Sequence, residues 1–220
     1  MASVTEFYGR WAALYDAIAT VPGVGRWRRS AARRVARPGD TVVEMGCGTG
    51  ANLRYLRERV GPAGRVVGVD ITGPLLARAR HRAGAYENVS VVRGDATEPP
   101  VSGADGVLGT FVCGMFDEPG PVVSGWCDLV GPGGRVALMD ATATEAAFGR
   151  PLNPLFRAFV AASTPGAGVV DTLRAPFVGA DEPLAERVSA ARTALVDLTG
   201  DRTYETFGLG FVGLLAGRVR

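Results

Sequence analysis

Apolar positions recur first at the spacing of an amphipathic helix. Over residues 3–18, Phe7, Trp11, Leu14 and Ile18 fall on one face, and Ser3 with Glu6 fits a capping box. Pro22-Gly23 breaks the run. A second helix is predicted over about 26–36, with Trp27, Ala31 and Val35 on one side and Arg28, Arg29, Arg33 and Arg34 on its other faces. After Pro38-Gly39-Asp40 the texture changes. Short apolar runs at Thr41–Met45, Arg65–Val69, Val89–Arg93, Gly106–Thr110 and Arg135–Asp140 predict strands, and helical spacing at 52–60, 74–83 and about 120–130 predicts helices between them. Such alternation implies right-handed parallel crossovers and a sheet covered on both faces. Residues 145–180 are rich in Pro, Gly and Phe, with a short apolar helix near 152–162. A helix over 182–196 and two strand-like runs, Tyr204–Gly208 and Phe211–Val219, close the chain.

Composition narrows the class. A chain of 220 residues suits one domain, and 47% hydrophobic with 21% charged residues excludes disorder. No apolar stretch is long enough to span a bilayer, and Glu6 and Asp16 spoil a signal-peptide pattern. The expectation is a cytoplasmic protein. A net charge of +2 is too small to argue for nucleic acid. All 24 basic residues are Arg, and the Arg-rich second helix with Trp27 would allow weak peripheral contact with an anionic membrane. Cys47, Cys113 and Cys127, without a CxxC pair, predict reduced thiols. With His81 the single histidine, no metal site is expected.

The segment Glu44-Met45-Gly46-Cys47-Gly48-Thr49-Gly50-Ala51-Asn52 lies between a predicted strand and a predicted helix. Glycines there allow a tight turn and let backbone amides approach a ligand. Gly46-x-Gly48-x-x-Ala51 also fits the dinucleotide fingerprint. Glu44 argues against a dinucleotide, because its carboxylate would repel a pyrophosphate and would instead suit a ligand with an ammonium group. Asp70 ends the second strand, where a carboxylate can accept both hydroxyls of a ribose. Asp95, after the third strand, can accept from an adenine amino group.

Together these residues resemble class I S-adenosylmethionine (SAM)-dependent methyltransferases over about 38–140 and 200–220. The Pro132-Gly133-Gly134 turn and the final strand pair are similar to that family's late features. The resemblance implies a doubly wound, mostly parallel seven-stranded α/β sheet whose last strand is antiparallel. It implies SAM as cofactor and S-adenosylhomocysteine (SAH) as product. It also implies cofactor contacts from Glu44, Gly46, Cys47, Gly48, Gly50, Asn52, Asp70, Ile71, Asp95, Ala96 and Thr110. Residues 1–37 would then form a helical cap, 38–144 the cofactor core, 145–180 a lid and 181–220 a closing helix and strand pair.

The run Tyr8-Gly9-Arg10-Trp11-Ala12-Ala13-Leu14-Tyr15-Asp16 is similar to the segment before the glycine loop in bacterial phospholipid N-methyltransferases, and more loosely in quinone C-methyltransferases. That likeness implies a small apolar or amphipathic acceptor, either a phospholipid amine or a quinone-like ring. Tyr15 would position it near the sulfonium, with Tyr8, Trp11, Phe111, Met115 and Phe156 as the acceptor wall. After the fourth strand the chain lacks the Pro-Pro-aromatic motif of nucleic-acid amino-methyltransferases, which argues against nucleic-acid acceptors. Two alternatives stay open. One is a nicotinamide oxidoreductase, disfavoured by Glu44 and by the lack of any Lys for a Tyr-x-x-x-Lys pair. The other is a SAM-fold binding subunit without methyl transfer.

Overall fold

The computed structural model describes residues 23–162 and 181–220. The helix expected over 3–18, with Tyr8, Trp11 and Tyr15, lies outside the described residues, as do residues 163–180 of the expected lid. The chain runs α1 (Val24–Val35), β1 (Thr41–Met45), α2 (Leu53–Val60), β2 (Arg65–Asp70), α3 (Gly73–Ala83), β3 (Val89–Arg93) and β4 (Gly106–Thr110). It continues with α4 (Pro119–Val130), β5 (Arg135–Ala141), α5 (Asn153–Ala162), α6 (Glu182–Leu198), β6 (Thr199–Phe207) and β7 (Val212–Val219). The strands make one seven-stranded sheet in the order β3-β2-β1-β4-β5-β7-β6. β1 to β5 are parallel, and β7 runs antiparallel to both β5 and β6.

Each central strand is buried on both faces, so its sequence reads as an apolar run rather than an alternation. One face carries Val42, Leu108, Ala137 and Met139 and packs beneath α1, α2 and α3. The other carries Val43, Met45, Val107, Val136 and Leu138 and packs around Trp126 of α4 and Leu195 of α6.

Two expectations change. Arg28 is not on a solvated face. α1 buries Val24, Arg28, Ala31, Ala32 and Val35, a single i, i+4, i+7 stripe that carries the arginine inward. The first strand of the closing pair begins at Thr199, not Tyr204, directly after α6. Thr199 pairs with Val219, and the register shifts between Gly200 and Thr203 within the polar stretch Gly200-Asp201-Arg202-Thr203. Among the described residues, no helix is long and apolar enough to cross a membrane.

Candidate cofactor and acceptor site

β1 lies between β2 and β4, and its neighbours are reached by crossovers on opposite sides of the sheet. In open α/β sheets such a switch point is where a ligand binds, beyond the C-terminal strand ends, and the glycine loop stands at that end of β1. Cys47 donates its N–H to the Val69 carbonyl (2.9 Å), and Gly50 donates to that of Cys47 (2.8 Å). Gly46, Gly48 and Gly50 all have positive φ. A Cβ on Gly46 would meet Val112 at 2.6 Å, and one on Gly50 would meet Leu53 at 2.8 Å. At Gly48 it would meet nothing within 4 Å. The outer glycines are therefore fixed by packing, while the middle one borders open space. The Cys47 thiol fills the room under the loop against Gly68.

Asp70 holds this loop. Its Oδ2 accepts from the Gly48 N–H and its Oδ1 from the Thr72 N–H, both at 2.8 Å. A carboxylate has about four acceptor positions, so two remain for ligand hydroxyls. Ile71 beside it is 60% exposed, an apolar side chain held out at the strand end. Asp95 is exposed, and its Oδ1 accepts from the Thr97 N–H and hydroxyl. The Ala96 carbonyl accepts from the Trp126 indole at 2.8 Å, which ties this loop to α4.

Glu44 is 1% exposed. Asn52 donates to its Oε1, and the same amide donates to the Thr110 hydroxyl (2.9 Å). Asn52 Oδ1 in turn accepts from Arg28 Nη1 at 2.6 Å. Glu44 Oε2 and Arg28 Nε are buried without a partner among the described residues. Burial pushes the Glu44 carboxyl up to about 7, against the opposing pull of Asn52 and Arg28. Burial likewise lowers the Arg28 guanidinium, despite Glu44. A buried carboxylate with a spare oxygen, beside a loop that borders open space, fits a cofactor with a cationic end.

On the acceptor side, Phe111 directly follows β4 with φ 57, a conformation uncommon for a non-glycine residue. Its N–H donates to the Met139 carbonyl at 2.8 Å. Its side chain is 39% exposed, and Met115, which ends the short 3-10 turn Cys113–Met115, is 52% exposed. Phe156 on α5 packs against Phe211, ring centroids 5.3 Å apart.

Two buried charged groups were not among the site residues expected from the sequence. Arg28 is one. The other is Asp140, 2% exposed at the C-terminal end of β5, with Oδ2 unpartnered among the described residues. Burial raises its carboxyl to about 6, against the pull of Arg192. A carboxylate ending a parallel strand is the available signal for it. Among the described residues no cluster of His, Cys, Asp and Glu could hold a metal.

Residues 42–134 match the methyltransferase domain family. The chain is 35% identical over 140 residues to the nocamycin O-methyltransferase of Saccharothrix syringae, covering 60% of this chain and 48% of that protein. It is 33% identical over 147 residues to the 2-phytyl-1,4-naphtoquinone methyltransferase of Thermosynechococcus vestitus, covering 64% of this chain and 65% of that protein. It thus spans about half to two thirds of the length of these curated relatives. Among solved structures, a SAM-dependent methyltransferase from Aquifex aeolicus shares the fold with a TM-score of 0.55 at 15% identity, covering 86% of each chain.

Proposed function

We propose that this chain, which belongs to the class I S-adenosylmethionine-dependent methyltransferases, transfers a methyl group to a small apolar ring, quinone-like rather than a phospholipid amine. The spare oxygen of buried Glu44 beside the open side of the glycine loop carries the reading. The name of one relative, a 2-phytyl-1,4-naphtoquinone methyltransferase, supports the ring acceptor.

When bound, SAM supplies an activated methyl group. The chain's own residues then need to bind, align and exclude water. In this reading Glu44 accepts from the amino group of the cofactor, while Asn52 and Thr110 fix the carboxylate's orientation. Asp70 keeps the loop in place with two amide hydrogen bonds and accepts the ribose hydroxyls on its free lone pairs. Ile71 would hold the adenine with its exposed apolar side chain, and Asp95 with Ala96 would bound it. Phe111, Met115 and Phe156 would offer the acceptor an apolar surface, and Tyr8 and Trp11 are assigned to the same acceptor contact. Tyr15 orients the acceptor toward the methyl group.

Calorimetry and an SAH-release assay with reduced naphthoquinones test this reading. SAM and SAH are expected to bind in the micromolar range and NAD not at all. Asp70→Ala is expected to weaken SAM on the order of ten- to several-hundredfold, since each charge-assisted hydrogen bond lost costs about 1.5–3 kcal/mol. Tyr15→Ala is expected to slow turnover on the order of a hundredfold with a much smaller effect on SAM binding. SAM binding without SAH release from any ring acceptor would make the chain a binding subunit instead.

A further inference from the structure

We propose a second binding site, for a phosphoryl group, in the cavity at the N-terminal edge of the sheet, opposite the glycine loop. The cavity has a volume of about 300 Å3 and is lined by Arg34, Arg37, Arg135, Arg218, Asp201 and Thr203, among others. Four guanidinium groups converge there from the end of α1, the start of β5 and the β6–β7 pair. No run in the sequence announces this, because the register pairing Arg135 with Arg218 and the packing of α1 on β5 and β7 assemble it.

The charges do not balance. Arg34 donates to Glu205 at 2.7 Å and Arg135 to Asp40 at 3.2 Å. Arg37 reaches only backbone carbonyls, those of Arg33 (2.8 Å) and Ala36 (2.9 Å). Arg218 donates to the Gly133 carbonyl at 3.1 Å. Arg37 meets the Asp40 carboxylate through its backbone N–H alone (2.7 Å), neither its guanidinium nor that of Arg218 has a carboxylate contact among the described residues, and Asp201 is the single acidic residue of the lining. Burial lowers the Arg37 guanidinium, and the charges of Arg135 and Arg59 lower it further, as expected where cations crowd. Guanidinium forks match phosphate oxygens two by two, and the Thr203 hydroxyl adds a donor. A cavity of this size is at the small end for ligand sites, so it fits a pyrophosphate or phosphomonoester rather than a whole nucleotide. The group's source is either a soluble phosphate ester or a lipid headgroup. The site does not depend on the methyl-transfer reading.

Pyrophosphate titrated calorimetrically into the full chain at about 150 mM salt is expected to bind at one site per chain; at this salt, diffuse surface attraction is largely screened. Arg37→Gln and Arg218→Gln are each expected to weaken it about ten- to a hundredfold. Arg26→Gln, on an exposed part of α1, is expected to leave it unchanged. Asp201→Asn provides a gain that a damaged fold would not give. It removes the opposing charge at a residue with φ 46, which Asn tolerates, and is expected to tighten binding several-fold. A parallel arm uses phosphatidic-acid vesicles against phosphatidylcholine vesicles. Stronger binding to the acidic vesicles than to pyrophosphate assigns the lipid source, and the reverse assigns a soluble ester. The absence of saturable binding in both arms overturns the site, as does binding indifferent to Arg37→Gln, Arg218→Gln and Asp201→Asn.

Discussion

Glu44 concentrates the chemistry of the site in one side chain. Its carboxyl titrates near 7 in the folded chain against an ordinary 4.5. Between those values the folded state holds a proton that the unfolded state has released. Stability therefore falls as pH rises from about 4.5 to 7 and levels off above that range. A cationic ligand reverses the balance, because it favours the ionised carboxylate that burial, with Asp70 nearby, disfavours. SAM affinity is thus expected to rise with pH by up to tenfold per unit between about 5 and 7, with a proton released on binding. Calorimetry in buffers of different ionisation enthalpy reads that proton directly. Glu44→Gln should bind more weakly at pH 8 and lose the slope. A slope that persists in Glu44→Gln would move the titration to another group.

At the scale of elements, single side chains fasten whole segments. Trp126 is fully buried between α4 and the sheet, fits over Gly109, where a Cβ would come within 2.8 Å, and donates to the Ala96 carbonyl. Trp126→Ala is expected to cost about 3–5 kcal/mol in denaturant unfolding. Trp126→Phe keeps most of the bulk and is expected to cost about 1 kcal/mol, chiefly from the lost hydrogen bond. Equal losses in the two variants would mean that packing does not dominate. The elements themselves were largely legible from the sequence. β1, β3 and β4 carry their signal as local apolar runs bounded by Gly, Pro and Asp. What was illegible depends on partners far along the chain. Residues 199–203 fell outside the predicted strand, which began at Tyr204, because only the pairing with β7 makes them part of it. Arg28 read as a surface residue because charge outweighed its place in the Ala31–Val35 stripe, although the helical spacing was there to see. In the glycine loop the residue types were visible. That Asp70 spends two lone pairs on backbone amides before any ligand arrives was not, since it requires the loop's folded path.

For the molecule as a whole, the three cysteines report on opening. Cys47, Cys113 and Cys127 are free and buried, and burial raises all three thiols, Cys127 to about 11. At neutral pH they are protonated and shielded, so a thiol reagent reaches them through opening of the fold. SAH at about a hundred times its dissociation constant stabilises the closed state by about 2.7 kcal/mol. Labelling through openings that release the ligand is then expected to slow about a hundredfold, measured by mass spectrometry. Cys47, under the glycine loop, should show the full effect. Labelling of Cys47 at an unchanged rate would contradict a ligand seated there.

The place of β7 has a consequence for the order in which the molecule is made. A ribosome delivers β1 to β5 first, yet β7 occupies the position between β5 and β6. Until residues 212–219 emerge, the outer edge of β5 has no strand beside it, and Val136 and Leu138 lie on that unfinished rim. Such an edge invites pairing with another nascent chain. The sheet closes only when the last strand threads in antiparallel, hydrogen-bonding on both sides at once. The nascent protein is therefore most exposed to misassembly in the interval between the emergence of β5 and that of β7, when its cofactor loop residues have long been translated.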